Sequence, residues 1–305
     1  MTAHPILSLA LAGMVLTGTR AADLRFHPAG DGSFQFDTGI LRGKLRAGGK
    51  SLGLTAVVHV RSGTTLSQGS GLMTHYRLFS ANHRYGQEGA FSLPSDASLR
   101  DDGAVDVHWP AAADRPFELW AQYRWTAPAT LDVVTTVKAV SEIAGFESFL
   151  ASYFAGPLTS SLVWVKHSGA FMAAEQSAGA WQIFPRDKGA AGLILDGRWT
   201  YPLYPVEWAM RPELEQPLAI RRDGAFGLAA LLMAPASDCF AVSTPYQTEA
   251  QHRSLYLSLF GRKLKAGQTA RARARLQIVD ALTDAEALDL YRVYMQFLRE
   301  GTDGR

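Results

Sequence analysis

From about residue 33 onward the chain runs as short segments of alternating apolar and polar residues, each closed by a turn residue: SFQFDTG, ILRGKLRAGG, LGLTAVVHVRSG and GLMTHYRLFS. Strands at this spacing, with no helical period between them, restrict the fold to a large all-β antiparallel sandwich or barrel. GAVDVHWP, FELWAQYRW and TLDVVTTVKAV continue the theme. In the last of these, Leu131, Val133, Thr135 and Val137 alternate with Asp132, Val134, Thr136 and Lys138, so one face is drier than the other. In ARARARLQIV, Arg271, Arg273, Arg275 and Gln277 share one face and Ala272, Ala274, Leu276 and Ile278 the other; the arginine face reads as the solvated outside of a sheet. One helix is predicted, over 284–299 at the end of the chain. Thr283 and Glu286 make its capping box, and Leu288, Tyr291, Met295 and Leu298 its apolar stripe.

Nothing in residues 30–300 resembles a linker, a low-complexity run or a short repeat, so residues 23–305 read as a single β domain with a C-terminal helix. Of 305 residues, 47% are hydrophobic and 19% charged, enough apolar matter for a sizeable core. A formal net charge of +2 gives no electrostatic case for a nucleic-acid partner or an anionic membrane. Residues 1–22 carry an apolar run from Ile6 to Leu16, no acidic residue and small residues before Asp23. This reads as a signal peptide cleaved near Ala21 or Ala22, which makes the mature protein periplasmic or secreted and free of the membrane; the alternative is a buried strand or an anchor. Cys239, the single cysteine, excludes an intramolecular disulfide, and its apolar neighbours read as inert core.

Early strands, a polar loop, a β-meander, a YF strand and then FAVSTPYQTE followed by RSLYLSLFGRKLKAGQTARARARLQI form an order of elements that resembles the galactose mutarotase-like supersandwich of aldose 1-epimerases. The resemblance covers most of residues 33–280 and implies a large antiparallel two-sheet supersandwich. Carried over residue by residue, it places FLASYF where the family has a TNHSYF-like segment, with Ala151 in the position of a catalytic histidine. It places VSTP where the family has LETQ, with Ser243 in the position of the catalytic carboxylate. Ring opening needs one group to take the anomeric proton and another to protonate the ring oxygen, and neither Ala nor Ser does this at neutral pH. Ordinary mutarotation is therefore not expected, and the fold alone transfers no chemistry.

Three polar stretches remain as candidate sites. THYRLFSANHRYGQEG falls where the family holds its first active-site histidine, which implies a role for His83; strand alternation puts His75 and Arg77 on one face, with Arg84 and Tyr85 beyond. The alternative is a strand end whose polar groups satisfy one another. WQIFPRDKG with DGRWTYPLYPVEW brings Trp181, Trp199, Tyr201, Tyr204 and Trp208 together with Arg186, Asp187 and Glu207, on a path that prolines force to be extended. It is either a sugar-stacking loop or a lid that buries its own aromatics. Asp187 and then Glu249 are the candidate general acids or bases, with Tyr246 and His252 beside Glu249 in PYQTEAQHR. His75 and His83 match no metal motif, and no dinucleotide, phosphate-loop or nucleophile-elbow pattern occurs, so no metal or cofactor is expected.

The expectation is a carbohydrate partner: His83, Asp187, Glu249 and His252 as catalytic candidates, and His75, Arg77, Arg84, Tyr85, Arg186, Trp199, Tyr201 and Tyr246 as binding candidates. A lyase, hydrolase or noncanonical epimerase is one outcome. A noncatalytic carbohydrate-binding module, or a structural or partner-binding envelope protein, is the other.

Overall fold

The alternation of apolar residues resolves into sheets that bury one face against each other and a second face beneath a covering segment. The computed structural model describes residues 22–48, 51–81, 83–155, 157–166, 169–223, 227–246 and 252–301. The predicted leader, apart from Ala22, and the candidate Glu249 lie outside the described residues.

Among the described residues the larger sheet has nine strands, in the order Phe171–Ala173, Ser160–Val165, Leu214–Arg222, Leu228–Met233, Thr269–Asp280, Thr130–Ala139, Phe117–Ala127, Val105–Trp109 and Asp96–Leu99. Facing it is a seven-stranded sheet in the order Ala209–Met210, Trp181–Pro185, Cys239–Pro245, Ser254–Leu264, Ile143–Tyr153, Thr74–Ser80 and His83–Tyr85. Pairing in both is antiparallel except between Trp181–Pro185 and the short Ala209–Met210. A five-stranded sheet from His27 to Thr65 adds Phe36, Leu45 and Leu54 to the same core, with the Phe36 ring 4.7 Å from that of Trp125. The fold is all-β, two large facing sheets with a third, five-stranded sheet against the same core and a C-terminal helix.

The main core lies between the two large sheets, where Phe117 of one meets Phe146 of the other edge-on at 5.0 Å. Leu228–Met233 reads as an unbroken apolar run because it is buried on both faces. Ala230 and Leu232 enter the main core, while Ala229, Leu231 and Met233 lie under the helix Asp284–Glu300. That helix begins at the predicted Thr283–Glu286 capping box and buries Ala287, Tyr291 and Tyr294.

The helix also corrects the expectation for the arginine strand. Arg275 is not solvated: it forms a two-pronged ion pair with Asp132 at 2.6 and 2.8 Å, and its guanidinium lies over the Tyr294 ring at 4.3 Å. Arg273 pairs with Asp238 at 2.7 Å. The helix docks on this face at Arg275, through Tyr294 and Phe297, while Arg271 stays exposed as the alternation suggests.

Candidate functional site

The outer face of the seven-stranded sheet is as apolar as its inner one. Phe79, Phe149, Ala151, Ile183, Phe240 and Tyr256 form a second cluster there with Trp199 and Trp208 of the irregular segment 186–208. Arg198 anchors that segment. Its Nη1 donates to Glu147 Oε2 at 2.8 Å, and its Nε and Nη2 donate to Asp196 at 3.0 and 2.8 Å. Buried carboxylate and guanidinium thus fix the chain immediately before Trp199, whose ring packs on Phe79 at 4.7 Å, Phe149 at 4.8 Å and Trp208 at 5.0 Å. Two further arginines hold the outer turn. Arg77 Nη2 donates to the Tyr204 carbonyl at 2.7 Å, and Arg84 donates to the carbonyls of Leu203, at 2.7 Å, and Pro202.

Between this segment and the sheet lies a cavity of about 390 Å³, within the range of small-ligand sites. Its sheet side is formed by Tyr76, Arg77, Phe149, Tyr153 and Tyr256, its cover by Trp199, Tyr204, Val206 and Trp208, and its end by Trp181 and His252. Among the described lining residues there is no carboxylate. A more open groove of about 850 Å³ runs along the five-stranded sheet past Gln35, Lys44 and Val60, but no buried polar side chain lines it. The smaller cavity is the better-built site.

A β-bulge sets its chemistry. Phe149 pairs with Arg77 and the adjacent Leu150 with His75, so Tyr76 is an extra residue in its strand. Tyr76 and Arg77 therefore both line the cavity, whereas His75 faces the main core. The expectation that His75 and Arg77 share a face is corrected by this one-residue shift. Tyr123 gives its hydroxyl proton to the Met73 carbonyl, so it accepts from His75 Nδ1, and Nε2 lies 2.9 Å from the Thr135 hydroxyl. Burial pushes the imidazole pKa down to about 3, so the ring is neutral and Nε2 is left to accept from Thr135.

The three tyrosines on the sheet side of the cavity meet edge to face across strands distant in sequence. Tyr76 meets Tyr153 edge-on at 6.3 Å, and Tyr153 meets Tyr256 likewise at 5.9 Å. The Tyr153 and Tyr256 hydroxyls hydrogen-bond one another, and Ser254 Oγ donates to Tyr256 at 2.7 Å. Burial raises the Tyr256 phenol to about 12 and that of Tyr153 well above its usual value. Ala151 and Ser243 sit directly opposite Tyr256 on the strands to either side, so the two positions where the resemblance expects a histidine and a carboxylate flank a tyrosine at the cavity floor.

Of the residues expected from sequence, Arg77, Trp199 and His252 line the cavity. His83 is exposed on the edge strand, 4.6 Å from the Tyr85 ring and 6.3 Å from that of Tyr201. Tyr85 is buried in the main core, and its hydroxyl donates to Ser80. Arg84 supports the cover from outside. Asp187 is the N-cap of a helix the sequence reading did not foresee, Lys188–Ile194; its Oδ1 accepts from the Ala190 amide and its Oδ2 from Arg186, whose Nη1 holds the Ala236 carbonyl. Tyr246 lines a separate cleft with Arg221 and Arg222. His83, Asp187 and His252 do not converge. The residues missed were Tyr76, Phe149, Tyr153 and Tyr256; they lie on three strands far apart in sequence, and only the order of strands in the sheet joins them.

No protein-family model matches the chain, and no curated protein matches it significantly. Among solved structures it is similar to a candidate aldose 1-epimerase from Escherichia coli K12, at 12% identity and a TM-score of 0.44 over 79% of this chain and 97% of that one. It is similar to the GalNAc complex of alpha-N-acetylgalactosaminidase NagBb from Bifidobacterium bifidum, at 11% identity and 0.48 over 90% of this chain and 38% of that one. Heparan sulfate lyase HepC from Pedobacter heparinus is similar at 8% identity and 0.46 over 86% and 37%. The chain thus spans less than two fifths of the NagBb and HepC chains. These are likenesses of strand arrangement alone, and they assign no cavity residue a role.

Proposed function

We propose that the protein binds a carbohydrate in the cavity between the seven-stranded sheet and the segment 186–208. The observation that carries this reading is the wall itself: Trp181, Trp199 and Trp208 offer flat apolar faces for the C–H surfaces of a sugar, beside tyrosine hydroxyls and one guanidinium that can fix its hydroxyls. Burial alone does not explain this combination, because a closed apolar core does not need an arginine in its wall.

Binding is favoured over turnover. Among the described lining residues no carboxylate is present, and the tyrosines are held too far above neutrality to serve as bases. The leader-like start of the sequence supports action outside the cytoplasm. The deciding experiment is a panel of mono- and oligosaccharides read by intrinsic tryptophan fluorescence and thermal shift. A ligand of this site changes the emission of the wall tryptophans and raises the apparent Tm. A panel of neutral and acidic sugars that produces neither change would remove the reading.

A further inference from the structure

Of the buried N–H groups in the cavity wall that meet no acceptor, those of Trp199, Trp208 and Arg77, only the last belongs to a charged side chain. Arg77 is 2% exposed, and its Nε meets no acceptor. Nη2 donates to the Tyr204 carbonyl at 2.7 Å and lies 3.5 Å from the Tyr76 hydroxyl. No described carboxylate lines the cavity: Glu147 and Asp196 are paired with Arg198, and Glu207, between the wall residues Val206 and Trp208, is exposed. The neighbouring cation compounds the imbalance: burial and then the charge of Arg77 both lower the pKa of Arg84.

Its guanidinium is nevertheless held in place. It lies 5.0 Å from the centre of the Tyr76 ring and 5.1 Å from that of Trp199, and the bulge that turns Tyr76 and Arg77 the same way builds this packing. A buried guanidinium with an orphan N–H is costly unless something satisfies it, and a planar fork fixed by aromatic contacts is preorganised for a carboxylate.

We propose that the ligand is an acidic carbohydrate whose uronate carboxylate pairs with Arg77. This rests on the carbohydrate reading of the cavity and adds the charge of the sugar. The carboxylate pairs with the guanidinium from the cavity side, while the ring lies along the tryptophan faces. Neutral sugars then retain the stacking and lose the ion pair.

The test titrates the full chain, by calorimetry and tryptophan fluorescence, with tetrasaccharides of galacturonate and mannuronate, their carboxyl-reduced forms, and a sulfated neutral tetrasaccharide. At least one uronate should bind about tenfold or more tightly than its reduced form, the strength expected of a charge-assisted pair. In Arg77→Gln that preference should fall to within about twofold, read as the ratio of the two affinities in the variant, since loss of the hold on Tyr204 lowers both together. If Arg77→Gln fails to fold, Arg77→Lys takes its place and should lose most of the preference, since a point charge does not reproduce the fork. Equal binding of reduced and acidic forms by the unmodified protein overturns the proposal, as does a preference that survives both substitutions. Tighter binding of the sulfated sugar than of either uronate assigns the arginine to a sulfate ester and overturns the carboxylate. No binding of any sugar would instead remove the carbohydrate reading itself.

Discussion

Arg198 and Glu147 meet at 2.8 Å with side-chain exposures of 0% and 1%, and they join the sheet to the segment that roofs the cavity. Removing Arg198 leaves the Glu147 charge buried without an ion pair, whereas removing Glu147 leaves Arg198 paired with Asp196, so the larger cost, typically about 3–5 kcal/mol, falls on loss of the arginine. Arg198→Met is therefore expected to destabilise the protein by about that amount in urea unfolding. Arg198→Met combined with Glu147→Leu should recover part of the loss, because no charge is then left fully buried. An Arg198→Met variant as stable as the parent would show that this pair does not hold the segment.

Asp187 and His83 are separated from the cavity by what they do. Asp187 caps the helix Lys188–Ile194, so Asp187→Ala should cost about 1 kcal/mol of stability and leave sugar affinity within about twofold of the parent. His83 is exposed on an edge strand, and His83→Ala should change neither quantity measurably. Loss of binding in either variant, with stability as expected, would place the site elsewhere.

His75 gives the protein an acid sensitivity of its own. The folded-state pKa of about 3 lies below the ordinary histidine value of 6.5, so between those values the unfolded chain binds the proton and the folded one does not. Stability from this group is complete above pH 6.5 and is lost as pH falls toward 3, at up to about 1.4 kcal/mol per unit. His75→Gln keeps two hydrogen-bonding positions and removes the titration. Its unfolding free energy should fall less steeply than that of the parent between pH 6.5 and 4.5, and parallel slopes would contradict a buried neutral imidazole.

The same residue shows where the sequence stopped being legible. Alternation located the strands because the large sheets bury one face against each other, and the capping box located the final helix because Thr283 and Glu286 satisfy each other's backbone partners. The aromatic segment was legible as a cover, and Trp199 lies in the wall as its composition suggested. His75 and Arg77 were misassigned to one face because a single extra residue, Tyr76, reverses the parity of everything before it. Asp187 was read as an acid or base although Asp is also a preferred N-cap residue, and here it accepts from the Ala190 amide to start a helix. Tyr153 and Tyr256 carried no local signal at all. Their meeting depends on Ile143–Tyr153 pairing with Ser254–Leu264, a contact over more than a hundred residues of chain.

The positions flanking Tyr256 make the sharpest contrast with the epimerase pattern. Ala151 is fully buried, directly opposite Tyr256, and Tyr256 stacks on Phe149 at 4.7 Å, so the tyrosine fills the room that a histidine at 151 would need. Ala151→His should overpack this floor and destabilise the protein by about 1–3 kcal/mol. It should also fail to produce mutarotation, since Ser243 on the other side still supplies no carboxylate. Polarimetry on freshly dissolved glucose and galactose, with urea unfolding of the same samples, checks both halves. An Ala151→His variant that is stable and accelerates anomer exchange would mean that the cavity still holds the remaining parts of an epimerase site, and that binding without turnover is a consequence of this one substitution.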